Sequence, residues 1–150
     1  MSKYICLDTS VFVKLFFEEE DSFKAKVLMQ KIIEDNQTIV LPAFAWAEIG
    51  SIFRKKIRNK FVTSQDGEEM WTSFRQFPGV VYVEDESVMD RAWKISKYFD
   101  LTTLYDASFL AVTEVITDMT GQTCEFWTAD ERLVNSLRGK KNNVLYLKEL

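Results

Sequence analysis

Apolar residues run along this chain in two rhythms: short solid blocks, and longer stretches where they return every three or four positions. The solid blocks are Tyr4-Ile5-Cys6-Leu7, Thr38-Ile39-Val40-Leu41, Val80-Val81-Tyr82-Val83, Cys124-Glu125-Phe126-Trp127 and Val144-Leu145-Tyr146-Leu147. Short blocks rich in β-branched and aromatic residues, bounded by turn-forming residues, predict strands. Pro42 stops the second block, because proline has no N–H to give a ladder. Between the blocks the helical rhythm predicts helices over 9–17, 23–35 with Ser22 as N-cap, 43–58, a helix capped by Ser64 and running to Phe77, then 87–99, 103–117 and 130–137. The run Glu18-Glu19-Glu20-Asp21 separates the first two helices, and Pro78-Gly79 reads as a turn.

Strands that are apolar without alternation are buried on both faces, and helices placed between them make the connections of a parallel sheet. The expected fold class is therefore α/β, a doubly wound sheet with helices on both sides. In such sheets ligands bind beyond the carboxyl ends of the strands, where the strand order reverses. Function then turns on which polar residues reach that edge.

Composition narrows the chemistry. The chain has 150 residues, 47% of them apolar, which predicts one domain over 1–150 with an ample core. No apolar run is long enough to span a bilayer, and no basic stretch followed by an apolar signal segment opens the sequence. No membrane partner is expected. Cys6 and Cys124 lie in strand-like blocks, with neither a disulfide framework nor metal-ligand spacing, so buried thiols in a reducing cytoplasm are expected. There is no histidine, which excludes Ser-His and Cys-His nucleophile systems and most zinc sites. The formal net charge of −4 argues against a module that coats nucleic acid by charge alone, though not against an enzyme whose acids hold cations.

Four acids stand out, each with an ordinary structural role open to it. Asp8 follows the first strand and could cap the next helix, but Thr9 and Ser10 could cap as well, so the charge is not needed for that. Glu48 shares one helical stripe with Phe44 and Ile52, where a carboxylate is costly unless a cation or a donor meets it. Asp106, in TLYDASFLAV, lies near a helix start and could serve the helix dipole. Asp130, in FWTADERLV, could cap the short helix after the fourth strand. All four can reach the same edge. Converging carboxylates repel and do not all ionise without bound cations, and oxygen-only ligands suit Mg²⁺ or Mn²⁺. Such an ion can activate water and clamp a phosphoryl oxygen, which supplies a nucleophile where histidine is missing.

The segments LDTSVFVKLFFEEE, WAEI, LYDASFLAV and WTADERL, in that order and spacing, resemble the PIN-domain nucleases, and most of all the VapC toxins of toxin–antitoxin pairs. The resemblance covers nearly the whole chain. It implies a three-layer α/β/α fold with a five-stranded parallel sheet in the order 3-2-1-4-5. It implies an Mg²⁺- or Mn²⁺-dependent endoribonuclease with Asp8, Glu48, Asp106 and Asp130 as the catalytic acids, of which Asp8, Asp106 and Asp130 hold metal. Glu48 would position or deprotonate the attacking water, while Thr9 or Ser10 and Thr128 orient the acids or their waters. An antitoxin protein and a second copy of the chain are the implied partners, with RNA as substrate.

Other features are less committed. The basic run RKKIRNK, residues 54–60 with Arg54, Lys55 and Arg58, could hold RNA phosphates, or could be cations at a helix C-terminus. Arg138, Lys140 and Lys141 form a second cluster of the same ambiguity, and Lys14 is a candidate phosphate contact near the acids. The 12 Phe, 5 Tyr and 4 Trp are mostly core, with a surplus that an interface could use. Two rivals have specific weaknesses. A phosphoacceptor receiver domain would use Asp8, Asp85, Thr128 and Lys148, but it needs paired acids at the first site and leaves Glu48 and Asp106 unexplained. A haloacid-dehalogenase-type phosphatase needs a second Asp where Ser10 stands. The remaining alternative is a catalytically silent PIN-type RNA-binding or scaffold domain.

Overall fold

The computed structural model describes residues 2–150. Its elements, in chain order, are β1 (Tyr4–Leu7), α1 (Thr9–Phe16), α2 (Ser22–Glu34), β2 (Thr38–Pro42), α3 (Ala45–Arg58), α4 (Ser64–Arg75), β3 (Val80–Val83), α5 (Glu86–Phe99), α6 (Leu104–Thr120), β4 (Glu125–Thr128), α7 (Glu131–Leu137) and β5 (Val144–Tyr146), followed by a short 3-10 turn (Leu147–Glu149). The five strands form one sheet in the order β3-β2-β1-β4-β5, every pair parallel. The order implied by the resemblance is the order found. Right-handed crossovers put α1–α4 on one face and α5–α7 on the other, because the chain moves outward from β1 to β3 and then returns to β4 and β5.

Burial follows the sheet position. Along β1 and β2 every residue after the first is buried, whereas the edge strands β3 and β5 have no fully buried residue. Cys6 and Cys124 are both buried free thiols. The α1–α4 face is filled by interlocking aromatic rings: Phe12 and Phe53 both pack edge-on against Phe74, at 5.6 and 6.5 Å between centroids. Phe16 and Phe77 extend this group, while Phe23 points to solvent. Helices α3 and α4 approach closely at Gly67, where a Cβ would lie 2.3 Å from Ile57 Cδ1. No helix among the described residues is long and apolar enough to cross a membrane.

Several expected boundaries are displaced for local reasons. Ser22 is not the cap of α2 but its first residue. Asp21, left-handed at φ 65°, precedes it, and the buried Ser22 hydroxyl donates to the Phe17 carbonyl while accepting from the Glu19 N–H. Thr63 rather than Ser64 caps α4, accepting from the Asp66 N–H at 3.0 Å, and the helix ends at Arg75 before Phe77. Helix α3 begins at Ala45 rather than Ala43, after a turn through Phe44, and α6 runs on to Thr120, where Gly121 at φ 72° ends it. The fourth strand includes Thr128, and the last one stops at Tyr146, since Leu147 turns inward to be fully buried.

Because Phe74 joins α4 to both α1 and α3, Phe74→Ala is expected to lower unfolding free energy by about 3–5 kcal/mol. Urea denaturation checks this, and a loss under about 1 kcal/mol would show that the aromatic group is not the tie between these helices.

Candidate active site at the carboxyl edge of the sheet

Asp8 is the first residue beyond β1. Its backbone extends the ladder, donating to the Trp127 carbonyl at 2.9 Å, and its own carbonyl starts α1 by accepting from the Val11 N–H. The carboxylate makes no cap bond. It is buried, and its Oδ2 accepts from Thr128 Oγ1 at 2.7 Å and from Ser10 Oγ at 2.9 Å. Both hydroxyls are themselves held: Thr128 Oγ1 accepts from the Asp130 N–H and Ser10 Oγ from the Ala129 N–H, each at 3.0 Å. The two hydroxyls thus join the ends of β1 and β4 around one charge.

Glu48 stands in the first turn of α3, which begins just past the carboxyl end of β2. Among the described residues no Lys or Arg comes within ion-pair distance of it, so the structural ion pair open to it in the sequence is not formed. A hydroxyl meets it instead, Thr9 Oγ1 donating to its Oε1 at 2.7 Å. Asp106 is in the first turn of α6, half-buried. Asp130 caps α7, its Oδ1 accepting from the Arg132 and Leu133 N–H groups. Hence Thr9 serves Glu48, while Ser10 and Thr128 serve Asp8.

The acids act on one another. Burial pushes the Asp8 carboxyl up from 3.8 to about 6; the Thr128 and Ser10 bonds hold it down in part, and the charges of Asp106 and Asp130 raise it. Glu48 is raised by burial, lowered by Thr9 and raised by the Asp106 charge. Asp106 is raised by burial and then by Asp130, with Arg132 opposing. Arg132 had no signal in the sequence beyond lying two places after Asp130. Its Nε is 3.9 Å from Asp130 Oδ1, and its side chain is almost wholly exposed.

As they stand, no three acidic or thiol side chains among the described residues close around a common point at metal-binding spacing. The donor chemistry nevertheless fits a hard divalent ion. Asp8 and Asp130 each commit one oxygen to hydroxyl or amide donors and keep the other out of those bonds. Mg²⁺ characteristically takes one or two carboxylates and retains waters, so a closed protein cage is not required.

The basic candidates lie elsewhere. Lys14 Nζ is bound to Glu19 Oε1 at 3.2 Å and to the Glu20 carbonyl at 2.7 Å, at the α1–α2 connection. Arg54, Lys55 and Arg58 are on α3 downstream of Glu48, displaced by roughly 9 to 15 Å at the helical rise. Asp85 caps α5 through Ser87, and Lys148 pairs with Glu20. Both lie apart from Asp8, which leaves the receiver arrangement without a shared site.

A parallel sheet in 3-2-1-4-5 order with acids at its central carboxyl edge defines a class of α/β domain. The family profile described as the PIN domain matches residues 5–134, and the chain belongs to that family. Among solved structures, a toxin-antitoxin complex from Klebsiella pneumoniae has a similar fold, with a TM-score of 0.63 at 16% identity over 95% of this chain and 97% of that one. No curated protein sequence matches the chain.

A carboxyl whose pKa rises on folding makes the native state bind more protons than the unfolded chain, so stability falls as pH rises between the two values. For Asp8 the window runs from 3.8 to about 6 and the cost above it is about 3 kcal/mol. Asp8→Asn keeps an oxygen for both hydroxyls and removes the charge. In EDTA at pH 7 it is expected to stabilise the protein by about 1–3 kcal/mol, with no gain at pH 4; equal effects at both values in denaturant titrations would contradict the assignment.

Proposed function

We propose that this chain is a metal-dependent endoribonuclease, the toxin of a toxin–antitoxin pair, acting as a single PIN-like domain over 1–150 in the cytoplasm. The observation that carries the reading is the set of four carboxylates, Asp8, Glu48, Asp106 and Asp130, gathered at the carboxyl edge of a PIN-family sheet, three of them with raised pKa. In a chain without histidine, such a set can supply a nucleophilic water for phosphodiester hydrolysis through a hard cation. Asp8, Asp106 and Asp130 would hold Mg²⁺ or Mn²⁺, which when bound lowers the pKa of water and offsets the charge gathering on a phosphate.

The chain's own residues do the rest. Thr9 fixes one oxygen of Glu48, and the other accepts the proton of the attacking water; a raised pKa suits a base that works near neutrality. The water oxygen bonds to phosphorus as the bond to the leaving ribose oxygen breaks, and that oxygen takes up a proton from solvent to leave as a hydroxyl. Ser10 and Thr128 hold the Asp8 carboxylate in one orientation throughout. Arg132, beside Asp130 and acting on Asp106, is the nearest cationic side chain to the acids and can face the substrate phosphate. The toxin role rests on the motif order in the sequence and on the fold shared with a protein taken from a toxin-antitoxin complex. An antitoxin and a second copy of the chain are the proposed partners. The exposed Met89, Trp93 and Tyr98 of α5 are surface such partners can cover.

Brief induced expression in bacterial cells, with new RNA 5′ ends mapped for wild type beside Asp106→Asn, tests the reading. Discrete ends confined to the wild type are expected, and purified Asp106→Asn should cleave at least about a hundredfold more slowly. Saturating Mg²⁺ should also raise the Tm of the wild type and leave that of Asp8→Asn nearly unchanged. Folded protein that makes no new ends and takes no Tm shift from Mg²⁺ or Mn²⁺ would point to the silent scaffold instead.

A further inference from the structure

Glu48, alone of the four acids, lines a cavity of about 430 Å³, together with Thr9, Phe44, Ser51, Ile52 and Tyr105. Thr9 and Glu48 are a hydrogen-bonded pair of the candidate active site, so the cavity meets that site at Glu48. Its far wall is aromatic. Tyr105 is 57% exposed and meets Phe44 edge to face, with centroids 5.0 Å apart and planes at 77°. Phe44 stands in turn on the buried Phe109, at 6.0 Å and 88°. A large aromatic ring packed on one edge and otherwise open to water offers an uncovered apolar face.

We propose that this cavity is a nucleobase subsite, in which a base next to the scissile phosphate stacks on Tyr105 while Ser51 offers a hydrogen bond to the base edge. Several features select that occupant. Single-stranded RNA is recognised by unstacked bases laid on aromatic rings and read at their edges, and the cavity supplies an exposed ring together with a hydroxyl. Its size lies within the range of small-ligand pockets. Tyr105 lines the same cavity as Glu48, so a base on the ring lies near the acids rather than several nucleotides away. The net negative charge of the protein gives it little general hold on the RNA backbone, which shifts the burden of recognition onto such stacking. The proposal rests on the ribonuclease reading and adds to it a residue that selects the cut position.

The test uses single-stranded RNA of random sequence carrying 5-iodouridine, bound with Mg²⁺ to full-length Asp130→Asn so that the strand stays intact, then photocross-linked and mapped by mass spectrometry. Adducts on the peptide holding Tyr105 or on that holding Phe44 are expected. Cleavage of an unmodified random pool by otherwise wild-type protein follows. Tyr105→Ala should raise KM on the order of tenfold and flatten the preference at one nucleotide beside the cut, with kcat little changed, and Tyr105→Phe should restore both. RNA that cross-links only elsewhere, or a Tyr105→Ala enzyme whose base preference is unaltered, overturns the subsite and leaves the ribonuclease standing. A change in oligomeric state by light scattering on Tyr105→Ala, with base preference kept, assigns the ring to a protein interface. No binding and no cleavage by the wild type removes the ribonuclease reading, and the subsite with it.

Discussion

A carboxylate placed at the end of a central, doubly covered strand must be solvated by the protein, and much of this structure follows from how that is done for Asp8. Burial disfavours its charge, and among the described residues its side-chain donors are the hydroxyls of Ser10 and Thr128. Hydrogen bonds to charged groups contribute about 1.5–3 kcal/mol each, which offsets the burial only in part. Because the two hydroxyls also accept from the backbone of Ala129 and Asp130, the same bonds fix the loop that carries the fourth acid. One buried charge therefore aligns the start of α1, the end of β4 and the cap of α7. Burying this charge gives up stability at the carboxyl edge of the sheet.

The rest of the molecule makes that arrangement rigid. Directly after Ser10, Val11 and Phe12 are fully buried, and Phe12 joins the ring cluster that reaches α3 and α4. Glu48 sits on the same α3 that Phe53 ties into this cluster. On the other face, Asp106 is one turn from Phe109, whose ring lies against Phe126 of β4 at 5.9 Å. Each acid is thus within a turn or two of an anchored aromatic, and the acids can repel one another without being able to move apart. Chemistry and packing occupy alternate positions of the same short segments.

How much of this was legible beforehand differs from element to element. The strands and helices showed themselves because the apolar blocks and the three-to-four rhythm are local properties. The misplaced boundaries at Ser22 and Ser64 were decided by side-chain hydrogen bonds to nearby backbone, and the one at Leu147 by burial in the core. Ser22 turned inward to satisfy Phe17 and Glu19, and Leu147 broke its strand to reach the core. The four acids were visible through the order and spacing of the segments that carry them, LDTS, WAEI, LYDASF and WTADE. Arg132 was not, since an exposed arginine on a short helix looks the same whether or not acids face it. Lys14 stood out in sequence near Ser10, yet its ammonium turns back to the α1–α2 connection.

By itself the sequence determined the fold class, the family motif and the list of acids, because hydrophobic period and the order of charged residues are written in one dimension. Only the tertiary structure decided which hydroxyl serves which acid, that Asp8 does not cap while Asp130 does, and that Tyr105 borders the site. Those outcomes depend on strands far apart in sequence lying side by side, as β1 and β4 do, so that residues 120 positions apart share one hydrogen bond. Spacing along a chain carries no record of that distance until the sheet has closed it.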